Sequence, residues 1–87
     1  MDRQRIDKWL WHARIVRTRG DAVALADSGH VRLNGRRVAA ASQPVRIGDI
    51  VTVALDRIVR VVEVQGFCDR RRGAPLARSL YRDIETP

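Results

Sequence analysis

At Gly29 the hydrophobic spacing of this chain changes period, and that change constrains the fold more than any other feature of the sequence. Upstream, Ile6, Trp9, Leu10, Ala13 and Val16 recur every three or four residues, the spacing of a helix with one buried face. Downstream, Val31 and Leu33 alternate with His30 and Arg32, the period of a strand. The chain thus reads as helical segments followed by strands.

The first helix is predicted over residues 4–16. Trp9 falls on its stripe with Ile6 and Ala13 and belongs in the core, whereas Trp11 falls off the stripe and pairs with Ile15 one turn later. A second helix is predicted over residues 19–28. Thr18 followed three residues later by Asp21 is a variant capping box, Ala22, Leu25 and Ala26 share a face, and Gly29 ends the helix in a left-handed cap. Arg17 to Arg19 form the basic connector between the two.

The stretch "HVRLNGRRVA" is a hairpin signal, with Asn34-Gly35 as a favoured two-residue turn. Its alternation is expected to leave His30, Arg32 and Arg36 on an open face. After the small-residue loop "AAASQP", Gly48-Asp49 turns into "IVTVAL", and Asp56-Arg57 separates this from "IVRVVEV", a second hairpin. Phe67 to Pro75 reads as a loop. Leu76, Ala77, Leu80, Tyr81 and Ile84 have helical spacing and predict a C-terminal helix, with Leu80 or Tyr81 covering Trp11 and Ile15.

Charge points to a partner. In 87 residues, 17 basic side chains face 10 acidic ones, a net +7, which favours a polyanion. Residues 1–37 hold nine basic against four acidic side chains, residues 38–87 eight against six, so the polyanion should meet the first half. Sixteen of the 17 cations are arginine, whose planar fork matches phosphate oxygens. No apolar run approaches the roughly 20 residues of a spanning helix, and the first residues are charged throughout, so a cytoplasmic protein with no membrane partner is expected.

Enzyme chemistry finds little support. Cys68 is the only cysteine and His12 and His30 the only histidines, so no disulfide, metal site or cofactor is expected. Asp56 and Glu63 have no partnered base, there is no serine, histidine and carboxylate set, and no glycine-rich phosphate loop.

The motifs "RIDKWLW", "RTRGDA", "SGHVRLNGRRV" and "PVRIGDIVTV", in that order, resemble an S4-type RNA-binding domain. Within that superfamily, Asp7 to Trp11 followed by Arg14 and Thr18-Arg19 is most similar to the ribosome-associated heat shock protein 15 group. The resemblance implies an α+β fold of two packed N-terminal helices against a small bent antiparallel sheet, the alpha-L or S4-like fold, with a short C-terminal helix. The domain would span residues 3–65, and residues 66–87 would form a basic loop and helical tail packing on it. It also implies a non-catalytic protein that binds ribosomal RNA of the large subunit, and peptidyl-tRNA held there, in rescue or quality control of stalled translation under stress. Set beside the longer members of that group, the sequence to Pro87 resembles a compact member, expected to lack their long charged C-terminal extension and any duty it carries. A monomer is expected. An RNA-binding accessory of an rRNA- or tRNA-modifying enzyme, or a general nucleic-acid binder, are the alternative readings.

Arg5 and Arg19 fall on the family's RNA-contacting positions and rank first, with Lys8 sharing the helix start with Arg5; Asp7 is expected to orient a nearby arginine. Arg14, Arg17 and Thr18 complete the helical set, the arginines being equally readable as a solvated rim. His30, Arg32, Asn34, Arg36 and Arg37 form the hairpin set, in which Asn34 also has a structural task in the turn. Trp11 offers base stacking as an alternative to packing, and Arg70 to Arg72 either a second RNA contact or a solvated loop.

Overall fold

The computed structural model describes residues 2–84. Strand β1 (Arg3–Arg5) runs directly into helix α1 (Ile6–His12), and α2 (Arg19–Asp27) follows. Strands β2 (Val31–Leu33), β3 (Arg36–Arg37), β4 (Pro44–Arg46), β5 (Ile50–Ala54) and β6 (Val59–Val64) come next, then helix α3 (Ala74–Arg78) and strand β7 (Tyr81–Asp83). Five strands form an antiparallel sheet in the order β3-β2-β5-β6-β7, and β1 pairs with β4 in a separate ribbon. This is the α+β arrangement expected.

The first helix is shorter than its apolar spacing predicts. Arg14 adopts the left-handed conformation (φ 59), its N–H donates to the Trp11 carbonyl at 3.1 Å, and the Ile15 N–H donates to the Leu10 carbonyl at 3.1 Å. These two bonds make a Schellman cap with arginine where glycine usually stands. Ile15 and Val16 stay buried although they have left the helix, which is why the stripe continues past the helix end. The second helix follows its signals closely. Thr18 Oγ1 accepts from the Asp21 N–H at 3.0 Å, and Gly29 (φ 83) closes a second Schellman cap, with His30 N–H on the Leu25 carbonyl at 2.9 Å. A Cβ on Gly29 would also stand 2.5 Å from Arg37 Nε, so the Arg37 guanidinium lies directly on this backbone.

The two helices pack through Trp9, Leu10, Ala22 and Ala26, the alanines allowing close approach, over a sheet face of fully buried Val51, Val53, Val62 and Val64. Each such valine contributes about 1.5–3 kcal/mol relative to exposure. In the hairpin, Asn34 (φ 52) and Gly35 (φ 84) both have positive φ, as the two-residue turn requires. The resulting register sets Arg32 opposite Arg37 and Leu33 opposite Arg36. Arg32 therefore shares its face with Arg37, and the expected grouping of Arg32 with Arg36 is corrected by the parity of the turn.

The tail also departs from expectation. Its helix ends at Arg78, and Tyr81–Asp83 continues as an edge strand on β6, since the unpaired edge of β6 offers hydrogen bonds that a further helical turn does not. Leu80 sits beside Gly66, whose carbonyl accepts from the indole of Trp9, and the ring contacts of Trp11 are with His12 and Arg71. Trp11 also packs against the core cluster that holds Ile15 and Leu80, Tyr81 packs against the same cluster, and the Arg71 guanidinium lies over the indole ring. Residues 85–87, assigned to the tail from sequence, lie outside the described residues.

Candidate nucleic-acid interface

A carboxylate organises the site. Asp7 lies in the first turn of α1, three residues before Leu10 and so towards the buried face, and its side chain is 1% exposed. Its Oδ1 accepts from Arg5 Nε at 3.1 Å and from the Lys8 backbone N–H at 2.7 Å; its Oδ2 accepts from Arg5 Nη2 at 2.9 Å and stands 3.7 Å from Arg19 Nε. Arg5 comes from the end of β1 and Arg19 from the start of α2, so a single buried anion gathers guanidinium groups from two elements. The side chains remain 50% and 43% exposed, and Arg5 Nη1 and both Arg19 Nη groups carry no hydrogen bond to the described residues. Two cations around one anion leave a net positive charge with donors aimed outward, the requirement for holding a phosphate.

The ribbon of β1 and β4 adds arginines that sequence reasoning missed. Arg3 stands directly opposite Arg46, and Arg5 opposite Pro44, so Arg3, Arg5 and Arg46 share one face while Gln4 points inward and donates to the Cys68 carbonyl at 2.8 Å. Arg32 and Arg37 are a second directly opposed pair. Like charges facing each other across strands are destabilising, and neither pair is neutralised by a carboxylate among the described residues. No local signal marks Arg46, because its pairing with Arg3 is long-range.

Asp49 connects the hairpin set to this ribbon. Its Oδ1 accepts from Asn34 Nδ2 at 3.1 Å and its Oδ2 from the Arg46 N–H at 2.8 Å, while Asn34 Oδ1 accepts from the Ile50 N–H at 2.8 Å. The hairpin tip is thereby fixed beside Arg46. The Asn34 amide, a candidate RNA contact from sequence, is committed at both ends to this junction. Thr18, another candidate, has its hydroxyl oxygen engaged in the α2 cap.

The remaining candidates separate. Arg32, Arg36 and Arg37 are exposed on the hairpin. Arg17 and His30 line a groove between α2 and the β5–β6 turn, with Asp56 and Arg57 on its far side, and the His30 ring Nδ1 shares a hydrogen bond with Ser28 Oγ at 2.6 Å. Arg14 donates from Nε to the Arg72 carbonyl at 2.7 Å, so it ties the loop after β6 to the end of α1. Arg71 lies over the Trp11 ring at 5.8 Å from its centroid.

His12, on α1 beside Trp11, is 1% exposed, and neither ring nitrogen meets a hydrogen-bond partner in good geometry. Burial holds its pKa below the ordinary value; the Cys68 backbone partly offsets this, and the charges of Lys8 and Arg19 push it further down. The ring is thus kept neutral next to the cationic cluster. Among the described residues no group of histidine, cysteine and carboxylate side chains has the arrangement to hold a metal ion, and no helix is long and apolar enough to cross a membrane.

Comparison with known proteins places the chain in a family. Residues 4–51, from β1 into β5, match the S4 domain family. The chain is 38% identical over 82 residues to a heat shock protein 15 homolog of Haemophilus influenzae, covering 94% of this chain and 62% of that one. Against heat shock protein 15 of Escherichia coli K12 the identity is 35%, over 91% of this chain and 59% of the other. The chain therefore spans about three-fifths of the length of these curated relatives. A trimeric structure of heat shock protein 15 from Vibrio cholerae superimposes with a TM-score of 0.88 at 38% identity, covering 95% of this chain and 83% of that one. The chain therefore belongs to the S4 domain family and, within it, to the heat shock protein 15 group.

Proposed function

We propose that this chain is a non-catalytic, cytoplasmic RNA-binding protein that docks on the large ribosomal subunit, on its rRNA and on peptidyl-tRNA retained there, in rescue or quality control of stalled translation. The observation that carries the reading is the convergence of Arg5 and Arg19 on buried Asp7, with their outer donors uncommitted among the described residues. The opposed arginine pairs Arg3–Arg46 and Arg32–Arg37 support it, since charge retained at a cost to stability is relieved when phosphate arrives. Lys8, Arg14, Arg17, Arg36 and His30 are secondary contacts. Recognition of this kind follows the shape and backbone of folded RNA more than its base sequence.

Sedimentation of tagged protein through a ribosome gradient, followed by crosslinking to map the RNA, tests the proposal. Co-migration with large subunits and crosslinks from the Arg5 and Arg19 region are expected; migration only at the top of the gradient at physiological salt would refute it. The monomer expected from sequence stands beside the trimer of the Vibrio cholerae relative, and sedimentation equilibrium with and without RNA decides between them.

A further inference from the structure

We propose that Trp11 and the Asp69–Arg72 segment form a second RNA contact, in which an unpaired nucleobase stacks on the indole in place of the Arg71 guanidinium while Arg70 and Arg71 take the adjoining phosphate. The inference rests on the RNA-binding reading above and specifies the RNA further: a folded element with an unpaired nucleotide at its edge.

Trp11 differs from Trp9 in every relevant respect. Trp9 is fully buried, with its Nε1 donating to the Gly66 carbonyl at 3.0 Å. Trp11 is only partly buried, and its ring meets the tilted His12 ring, centroids 5.3 Å apart, and the Arg71 guanidinium. A guanidinium is planar and delocalised, so it occupies an aromatic face as a nucleobase would. Among the described residues Arg71 has no carboxylate partner, and its Nε is buried with no acceptor. A desolvated donor without an acceptor is unfavourable, and a phosphate oxygen or base edge arriving at this position supplies one.

The segment is held in place. Gln4 Nε2 donates to the Cys68 carbonyl, Trp9 Nε1 to the Gly66 carbonyl and Arg14 Nε to the Arg72 carbonyl, three side chains from the α1 region clamping the backbone of one loop. Asp69 pairs with Arg72 at 3.4 Å, which leaves the exposed Arg70 uncommitted among the described residues. Trp11 lies three residues after Lys8 and four after Asp7, on the same side of α1. The stacking face therefore adjoins the Arg5–Asp7–Arg19 cluster, and one RNA strand can meet both.

The test compares two RNAs, a hairpin with a blunt stem and the same hairpin with a short unpaired 3′ overhang, binding to the wild-type chain and to Trp11→Leu, with tryptophan emission as the direct readout. Because Trp9 is sealed, quenching reports on Trp11. The overhang RNA is expected to quench emission and to bind about tenfold more tightly than the blunt one, with that preference collapsing in Trp11→Leu. If Trp11→Leu does not fold by circular dichroism, the Arg70→Ala/Arg71→Ala double variant, altered only in exposed or partly exposed loop side chains, is expected to show a smaller preference, because it lacks the phosphate contacts, while the overhang RNA still quenches its Trp11 emission. Equal affinity of the wild type for the two RNAs, or a preference undiminished in the variants, overturns the stacking contact and leaves the Arg5–Arg19 platform standing. Failure of both RNAs to bind at physiological salt overturns both readings.

Discussion

Replacing Asp7 by Asn separates positioning from simple charge, because the two effects have opposite signs. The substitution raises the formal net charge from +7 to +8, and a non-specific polyelectrolyte would bind RNA more tightly for it. In the structure, however, Asp7 immobilises Arg5 and stands 3.7 Å from Arg19. Releasing two such side chains means that binding must order them again, at about 0.5–1.5 kcal/mol each, or about 1–3 kcal/mol together. Removing a negative charge roughly 7 Å from the bound phosphate returns only about 0.6 kcal/mol in a water-like dielectric, which is appropriate to side chains half exposed, and salt screens it further. The net expectation is binding about tenfold weaker, with the deficit growing as salt rises. The introduced carboxamide would also turn amide hydrogens towards guanidinium donors. The stability loss is about 2 kcal/mol, below the roughly 3–5 kcal/mol of a fully buried pair because water re-solvates the half-exposed arginines. That corresponds to a fall in Tm of about 8–16 °C, so affinity must be measured well below the transition. Fluorescence anisotropy with labelled tRNA at several salt concentrations is the assay. Folded Asp7→Asn protein that binds as tightly as the wild type, or more tightly, would show that the carboxylate does not position the arginines.

Three further expectations concern buried groups and caps. Since the pKa of His12 is lowered in the folded state, the unfolded chain takes up the proton first; stability should be full above about pH 6.5 and fall as pH drops below it. Thermal melts on either side of that pH should show His12→Phe to be less sensitive to acid than the wild type; equal sensitivity would assign the effect elsewhere. Thr18→Ala removes the α2 cap and should cost about 1 kcal/mol, or about 4–8 °C in Tm; RNA affinity of the folded variant measured well below that Tm is expected to match the wild type, and a weaker affinity there would show that the hydroxyl also contacts RNA. Asn34→Ala breaks the bonds to Asp49 and Ile50 and should lower the urea midpoint by more than Asp27→Ala does, Asp27 being exposed at the end of α2 and free of side-chain hydrogen bonds among the described residues.

The parts of the fold that could be read from sequence are those set by neighbouring residues. Thr18 and Gly29 bracket α2, and Asn34-Gly35 makes the hairpin, because each acts on backbone within a few positions. The end of α1 was hidden because Arg14 supplies the left-handed cap without a glycine to announce it, and because Ile15 and Val16 remain buried beyond it. Tyr81–Asp83 shows helical spacing yet becomes a strand, since the open edge of β6 is a tertiary fact. The site divides in the same way. Arg5 and Arg19 were recognisable from the family's motif, and Asp7 as a carboxylate set to orient a nearby arginine, but its burial and its reach to Arg19 were not. Arg3 with Arg46, and Arg71 on Trp11, depend on chain segments distant in sequence, and no periodicity records them.

The salt dependence of RNA affinity in the Arg5→Ala/Arg19→Ala double variant tests the central claim most directly. If both guanidinium groups hold phosphates, the log-log slope should become shallower by about 1.4–1.8, the contribution of two phosphate contacts on single- or double-stranded RNA. A slope equal to that of the wild type, measured on folded protein, would contradict the account.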